Sequence, residues 1–326
     1  MNAPPVLAVD LGKTSCRVRL SVDGSVIAEA AAHGAPGLAE EDGAMRSFTA
    51  VVDAVGLLST APPAGCAVGV GAAGSEAAPA AARALIGLLR ERFNGPVAVI
   101  NDALAAHAGA FEGAPGTMLI AGTGAVVFAV DEAGAVRQVD GWGPWLGDEG
   151  SGQWLGRHGL VAALRAHDDR GPHTALLADA AALTGTGALT GAAAPTDAAA
   201  ALTAGAASGS GVASLPHWVS ESGTPARQLG RFAPTVIERA SEGDAVAVEL
   251  VERAAAHLAD SCAAAGQPIV CVAGGLVSHP FFADRVSAAL HAHGLRETVQ
   301  KGDPLAGAAL IAVERSLPYE ERIIRG

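Results

Sequence analysis

The chain has 326 residues, of which 50% are hydrophobic, and a formal net charge of −12. This length favours two domains over one, and the negative charge counts against nucleic acid as a partner because it repels phosphate backbones. The longest apolar runs are alanine-rich and broken by glycine or charge, so no transmembrane span and no membrane partner are expected. Residues 1–5 lack a basic stretch, so we expect no signal peptide and a cytoplasmic protein.

The chain opens with a predicted three-stranded meander. Residues 6–9 form an apolar run typical of a buried strand, and residues 17–22 alternate between polar and apolar types. Asp23-Gly24 is a strong hairpin signal, so residues 25–29 return as the third strand. The first corner of this meander is the polar, glycine-containing turn 10–15.

Strands and helices alternate after the meander, which predicts parallel pairing of strands. We expect helices within 38–59, over 80–93 and over 103–111, and strands over 66–70 and 97–100. The meander is then repeated by strands 118–120, 126–130 and 135–139, with the turn Ala121-Gly122-Thr123-Gly124 at its first corner. This repeat of architecture without repeat of sequence indicates two related domains.

The remainder reads mainly as helical. Helices are expected over 153–166, twice within 228–262, over 281–292 and over 304–316, and strands over 269–273 and 297–300. Asp303-Pro304 suits the start of the last helix, as N-cap and first helical residue. The segment 175–213 is rich in Ala, Gly, Thr and Ser and allows no firm assignment.

Polar residues follow several predicted strands, at the edge where open α/β sheets bind ligands. They are Asp10 to Ser15, Asn101-Asp102, Gly122 to Gly124 and Gly274-Gly275. Backbone N–H groups of the two glycine turns would form anion sites on opposite walls of one cleft. Asp10 suits Mg²⁺, and Lys13 suits a phosphate. Each feature also has an ordinary explanation: Lys13 as a solvated charge, and Gly274-Gly275 as the end of a strand.

Residues 141–156 contain six glycines, three tryptophans and the acidic pair Asp148-Glu149. This composition predicts a binding loop, since glycine allows close backbone approach and tryptophan supplies rigid apolar walls. The alternatives are a turn whose tryptophans fill the core, and an acidic pair that caps a helix. The four cysteines form no C-x-x-C pair, so we expect buried, reduced thiols.

The order of these motifs resembles the sugar-kinase, heat-shock-protein-70 and actin superfamily. Within it the chain is similar to the N-acetylglucosamine kinase family, grouped with the BadF/BadG/BcrA/BcrD-type ATPases, over nearly its whole length. The most specific stretches are Gly-Trp-Gly at 141–143 and Leu-Gly-Asp-Glu-Gly-Ser-Gly at 146–152. The other matches are Gly12, Lys13 and Thr14 at the first phosphate motif, Gly122 and Thr123 at the second, Gly274 and Gly275 at the adenosine motif, and Asp102 at the catalytic aspartate.

The resemblance implies an α/β fold of two duplicated actin-like (ribonuclease H-like) ATPase domains with a cleft between them. The expected domains are 1–113, joined by the helix 304–316, and 114–303 with a helical insertion. It also implies transfer of the γ-phosphoryl group of ATP, with Mg²⁺ at Asp10, to the 6-hydroxyl of N-acetylglucosamine or a related amino sugar. Asp102 would be the general base. Gly124, Trp142, Gly143 and Asp148, together with Asp102, would bind the sugar.

Two departures from the family leave the sugar open. Ala125 stands where the family usually has a serine that helps to hold the sugar, and the loop 33–37 lacks the usual asparagine. Glucosamine, N-acetylmuramic acid or another hexose derivative therefore remain alternatives. His33 is a candidate for a substitute contact, although a loop histidine is more often exposed to solvent. Two alternatives belong to other functional classes. One is an ATPase activator of a redox enzyme, which needs suitably placed cysteines, and the other is a non-catalytic sugar sensor. Dimers are common in such families, and the sequence leaves the oligomeric state open.

Overall fold

The computed structural model describes residues 4–184, 211–221 and 224–326, which form two mixed β-sheets flanked by helices. In the first sheet the strand order is β11-β5-β4-β1-β2-β3. Its strands are β1 Val6–Leu11, β2 Ser15–Val22, β3 Ser25–His33, β4 Ala67–Ala72, β5 Val97–Ile100 and β11 Ile324–Arg325. In the first three, β2 runs antiparallel to both of its neighbours, β1 and β3, whereas β1, β4 and β5 run parallel.

The second sheet repeats this topology, in the order β10-β9-β6-β7-β8. Its strands are β6 Gly116–Ala121, β7 Ala125–Val130, β8 Val136–Asp140, β9 Ile269–Ala273 and β10 Arg296–Thr298. Again an antiparallel meander is followed by strands parallel to its first member. The predicted α/β fold with two duplicated halves is confirmed.

The helices cover the faces of both sheets. Within the described residues they are α1 Gly43–Gly56, α2 Pro79–Phe93, α3 Asp102–Phe111, α4 Gly152–His167, α5 Leu176–Thr184, α6 Leu215–Ser220, α7 Pro225–Gly230, α8 Ala233–Ser241, α9 Ala245–Ala265, α10 Pro280–Ala292 and α11 Pro304–Val313. Every residue of β1 except Asp10 is buried, as expected for a strand packed on both faces. Leu7 and Val9 of β1 face the core formed with α1 and α2, whereas Ala8 packs against α11.

Helix α11 lies directly on the first sheet, although it follows the second in sequence. A side chain on Gly69 of β4 would meet the Ala308 carbonyl oxygen at 1.8 Å, so only glycine allows this approach. After α11 the chain adds β11 to the edge of the same sheet, antiparallel to β5. The domain boundaries at residues 113 and 303 stay a prediction.

A separate hydrophobic cluster joins the two halves. In it Ile100 and Leu104, from the first half, pack with Phe128 and Val130 from the second. Because Leu104 belongs to α3, the helix that begins at Asp102 rests on the second sheet. The start of α3 is thereby fixed relative to both sheets.

The structure differs from the sequence-based expectations mainly at element ends. Helix α11 ends at Val313 rather than 316, where Glu314 turns to extended backbone, and β10 ends at Thr298 rather than 300. The region 228–262 contains the end of α7 as well as α8 and most of α9. Of the unassigned segment 175–213, residues 185–210 lie outside the described residues.

Candidate functional site

The first glycine turn, which joins β1 to β2, is closed by backbone hydrogen bonds. The Gly12 N–H donates to the Ser15 carbonyl at 3.0 Å. The carbonyls of Gly12 and Thr14 accept from Ala35 and Gly34, at 3.2 and 3.1 Å. A side chain on Gly34 would lie 2.1 Å from the Gly12 oxygen, so this position requires glycine. The segment after β3 therefore supports the turn with its backbone.

Asp10, at the end of β1, is paired with an arginine that the sequence analysis did not assign to the site. Arg17 lies opposite it in the antiparallel register and donates from Nη2 and Nε to Oδ2, at 2.5 and 3.0 Å. Among the described residues, Asp10 Oδ1 has no donor. Lys13, in the adjoining turn, is exposed. One carboxylate oxygen of Asp10 is thus free for a ligand, beside the guanidinium of Arg17.

Asp102 occupies the first position of α3, where the chain leaves β5. Asn101 caps this helix, since its Oδ1 accepts from the N–H groups of Ala103 and Leu104 at 2.9 and 3.4 Å. Asp102 Oδ1 also accepts from the Ala103 N–H, at 3.0 Å. The absence of a side chain at Gly71 lets this end of α3 approach β4, since a Cβ there would be 2.6 Å from the Ala105 Cβ.

Burial raises the pKa of Asp102 above its usual value, and the negative charge of Asp10 adds to this effect. The hydrogen bond from Ala103 and the charge of Lys13 act in the opposite direction. Asp10 and Lys13 therefore both lie within electrostatic reach of Asp102. The structure brings these three predicted residues together.

The second glycine turn, between β6 and β7, is built in the same way as the first. The Gly122 N–H donates to the Gly124 carbonyl at 2.9 Å. The carbonyls of Gly122 and Thr123 accept from Gly152 and Gln153, at 2.8 and 3.0 Å. In this half the supporting backbone is the first turn of α4, whereas in the other half it is the segment after β3.

Asp148 lies directly against the second turn. A Cβ on Gly124 would be 2.6 Å from Asp148 Oδ2, and Asp148 Oδ1 accepts from the Gly143 N–H at 3.1 Å. Burial raises the pKa of Asp148, the Gly143 hydrogen bond lowers it, and the charge of Asp140 raises it. The structure thus brings together the three predicted sugar-binding positions Gly124, Gly143 and Asp148.

Asp140, the last residue of β8, holds this loop and was missed by the sequence analysis. Its Oδ1 and Oδ2 accept from the N–H groups of Asp148 and Glu149, both at 2.8 Å. It has φ of 59°, a left-handed conformation that aspartate tolerates better than most residues. A side chain on Gly147 would lie 2.2 Å from Asp140 Oδ1. The signal in the sequence that could have identified Asp140 was an acidic residue at the end of a predicted strand, directly before Gly-Trp-Gly.

The tryptophans of residues 141–156 divide into two kinds. Trp154 is buried in the core of the second half, as the alternative interpretation expected. Trp142 and Trp145 are each 71% exposed, and Leu146 is 86% exposed. The loop therefore presents apolar side chains to solvent next to the Asp148 carboxylate.

Gly274 and Gly275 follow β9, which lies between β10 and β6 in the sheet. Gly274 has φ of 115°, and a Cβ there would be 2.2 Å from the Ala121 carbonyl oxygen. The second glycine turn and this glycine pair therefore adjoin. A Cβ on Gly275 would meet nothing within 4 Å, so the space beside it is open.

Helix α3 links the predicted residues around Asp102 to those around Asp148. Ala103 and Leu104, next to Asp102, pack in one cluster with Ile120 and Val126, which flank the second glycine turn. Ile120 and Val126 belong to β6 and β7. The assigned roles of all these site residues stay predictions.

Metal-binding side chains are sparse in this region. The described residues contain no group of three or more His, Cys, Asp or Glu side chains that would enclose a metal ion. Mg²⁺ needs no such cage, because it is commonly held by one or two carboxylates together with water and phosphate oxygens. The free oxygen of Asp10 suits this requirement. All four cysteines are buried thiols.

The sequence profile of the BadF/BadG/BcrA/BcrD ATPase family matches residues 7–312. The chain belongs to this family. Both glycine turns, Asp102, Asp148 and the glycine pair at 274 lie within the matched residues. None of the helices in the described ranges is long and apolar enough to cross a membrane.

Solved structures resemble this family member over almost its whole length. A candidate N-acetylglucosamine kinase of Chromobacterium violaceum has a TM-score of 0.70 at 26% identity, covering 96% of this chain and all (100%) of that one. A candidate N-acetylglucosamine kinase of Porphyromonas gingivalis shares the fold, with a TM-score of 0.65 at 16% identity over 95% of this chain and 100% of that one.

A curated relative matches over a shorter stretch. The N-acetylmuramic acid/N-acetylglucosamine kinase of Clostridium acetobutylicum is 34% identical over 87 residues. This match spans 27% of the present chain and 28% of the relative.

Proposed function

We propose that this protein is an ATP-dependent kinase that phosphorylates the 6-hydroxyl of N-acetylglucosamine or a related amino sugar. The observation that carries the proposal is the position of Asp102. It starts a helix anchored to both sheets, within electrostatic reach of Asp10 and Lys13, and its pKa is raised. The whole-length likeness to the Chromobacterium violaceum protein supports the same activity.

Asp102 would act as the general base. A carboxylate that is poorly solvated accepts a proton more readily than a fully hydrated one, because burial disfavours its charged form. General-base catalysis of this kind contributes about 10²–10⁴-fold. The Ala103 N–H donates to both Asn101 and Asp102, so the Asp102 carboxylate has a defined position at the start of α3.

The phosphates of ATP would bind between the two glycine turns. The first turn offers Gly12, Lys13 and Thr14, and the second turn offers Gly122 and Thr123. The backbone carbonyls of these turns already accept hydrogen bonds from the segments that support them. Lys13 would neutralise phosphate charge. Mg²⁺ would be held by Asp10 and would offset the charge that develops during transfer. Gly274 and Gly275, beside open space, would adjoin the adenosine.

The sugar would bind on Asp148, whose carboxylate lies between Gly124 and Gly143. Sugar hydroxyls would donate to its oxygens, and the backbone at Trp142 and Gly143 would line the ring. The structure shows the side chains at both positions where the sequence departs from the family pattern. Ala125 is buried without a hydroxyl, and His33 is exposed. The choice among N-acetylglucosamine, glucosamine and N-acetylmuramic acid thus depends on other residues.

The test is ADP release from Mg·ATP with N-acetylglucosamine, glucosamine, N-acetylmuramic acid, N-acetylmannosamine and glucose. We expect turnover with at least one amino sugar and a sugar 6-phosphate as product. Absence of turnover with every sugar would disprove the kinase assignment and favour a sensor or an activator. Release of ADP without a phosphorylated sugar would point to an ATPase.

A further inference from the structure

The turn of residues 73–76, which follows β4, lies between two of the proposed site residues. Strand β4 is the middle one of three parallel strands in the first sheet, with β1 on one side and β5 on the other. Asp10 is at the end of β1, and Asp102 stands two residues after β5. A Cβ on Gly71 of β4 would be 3.5 Å from the Asp102 Cα. Because the ends of parallel strands meet at one edge of a sheet, the turn separates the proposed metal ligand from the proposed base.

The repeated topology gives this turn a counterpart in the second half. Strand β9 is the parallel neighbour of β6, as β4 is the parallel neighbour of β1. The counterpart is therefore the glycine pair Gly274-Gly275, which follows β9 and is proposed to adjoin the adenosine. Asp102 is the proposed base for the sugar hydroxyl, so the turn beside it adjoins the acceptor position rather than the adenosine.

Backbone contacts fix the position of the turn 73–76. The Ala73 N–H donates to the Leu11 carbonyl at 3.3 Å, and the Ala73 carbonyl accepts from the Leu38 N–H at 2.9 Å. A Cβ on Gly37 would be 3.3 Å from the Ala73 oxygen and 3.9 Å from Lys13 Cε. The turn therefore contacts the end of β1 and the segment that follows β3, next to the first glycine turn.

Ser75 carries an unpaired hydroxyl in this turn. The residue is 2% exposed, and its N–H donates to the Ala72 carbonyl at 3.4 Å. Within the described ranges, Ser75 Oγ has no hydrogen-bond partner, yet it is not one of the unpaired side-chain atoms that are fully enclosed. Polar groups of buried residues are nearly always paired with protein or with water. Ser75 Oγ is thus a hydroxyl on a fixed turn that solvent or a ligand can reach.

We propose that Ser75 is a sugar-binding residue, whose Oγ forms a hydrogen bond with a ring hydroxyl of the amino sugar. A serine hydroxyl both donates and accepts, so it can pair with a sugar hydroxyl in either direction. The contact gives the first half a sugar-binding side chain besides Asp102. It also supplies a hydroxyl to a site whose second half has Ala125 in place of the usual serine. This inference rests on the kinase function proposed above and adds a determinant of its substrate recognition.

The test compares Ser75→Ala with the wild type by calorimetry. The ligands are N-acetylglucosamine, its 3-deoxy and 4-deoxy analogues, and a non-hydrolysable ATP analogue. Loss of one neutral hydrogen bond should raise the Kd for N-acetylglucosamine about three- to tenfold and leave the Kd for the ATP analogue unchanged. The deoxy sugar that lacks the bonded hydroxyl should bind both proteins with equal affinity. The Tm should not fall, because Ser75→Ala removes no hydrogen bond between described residues.

Ser47→Ala is the matched control. Ser47, in α1, is 1% exposed, and its Oγ is also unpaired among the described residues, but that atom is fully enclosed. Its replacement removes the same group from a place that no ligand reaches, so the Kd for every sugar should stay unchanged. Steady-state kinetics should likewise show a raised sugar KM for Ser75→Ala alone.

Three results for Ser75→Ala would overturn the inference. They are an unchanged Kd for N-acetylglucosamine; a raised Kd for the ATP analogue instead, which would place Ser75 at the phosphates; and a lower Tm with equal losses for all three sugars, which would show a structural role. A wild type that binds no amino sugar would overturn both this inference and the proposed function. Sugar binding that depends on Ser75 without any turnover would remove the kinase function and support this inference.

Discussion

Asp140 holds Asp148 in place from a separate element, because its Oδ1 accepts the Asp148 backbone N–H at 2.8 Å. Its Oδ2 does the same for Glu149. The carboxylate at the end of β8 thereby sets the path of the loop that presents Asp148 to Gly124. Asp148, which is proposed to bind the sugar, is thus oriented by a residue that would not itself touch the sugar.

Asp140→Asn should weaken sugar binding. Asparagine tolerates the left-handed backbone at this position but offers one acceptor oxygen where two are needed. Loss of one hydrogen bond of about 1 kcal/mol predicts a rise in sugar KM of roughly fivefold, with a smaller change in kcat. Steady-state kinetics at saturating ATP would measure both constants.

Asp131→Asn is the matched control for Asp140→Asn. Asp131 also accepts two backbone N–H groups, from Ala133 and Ala135, but in the turn that joins β7 to β8 and with Oδ1 alone, so asparagine there can keep both bonds. Its replacement should leave the sugar KM unchanged. Equal effects of the two variants would show that Asp140 contributes only to general stability.

Asp102→Asn should abolish most turnover. The amide keeps an oxygen for the Ala103 N–H but accepts no proton, so we expect kcat to fall about 10²–10⁴-fold. Sugar affinity, measured by calorimetry, should stay near that of the wild type. If affinity fell in step with kcat, Asp102 would be a sugar-binding residue rather than the base.

Asp102→Asn should also stabilise the folded protein at neutral pH. The pKa of Asp102 is raised by burial above its usual 3.8, so ionisation of this group disfavours the folded state. The variant should therefore have a higher Tm than the wild type at pH values above the raised pKa. This difference in Tm should fade as the pH falls to 3.8, the usual pKa of the group. Thermal unfolding of both proteins across this range would measure it. An advantage that persisted unchanged in acid would assign the effect to packing instead.

Closure of the two halves over ATP and sugar is a further expectation. Each half contributes one glycine turn, and exclusion of water from the phosphoryl group requires that the turns approach each other. Small-angle scattering should show a smaller radius of gyration with saturating sugar and a non-hydrolysable ATP analogue. Asp148→Ala at the same ligand concentrations should show no compaction from the sugar. Identical curves with and without ligands would rule closure out.

The sequence predicted the repeated meander because its signals are local. Alternation in β2 and the Asp23-Gly24 turn depend only on neighbouring residues, and Asp10, Asp102 and Asp148 stand at the ends of predicted strands or in a glycine-rich loop. The Asp10–Arg17 pair and the contacts of Asp140 depend on register and on a left-handed backbone, which are set by pairing across the fold. Strand β11 has two residues and therefore carries no periodic signal.

The return of α11 and β11 to the first sheet has a consequence for the order in which the protein is made. Leu305 and Ala308 cover Ala8, and Ile324 pairs with Val99, so the first half lacks one helix and one edge strand until residues 304–325 have been synthesised. The second half, which lies between, is translated earlier as an uninterrupted stretch. On the ribosome, the half that begins first would therefore be the last to complete its core.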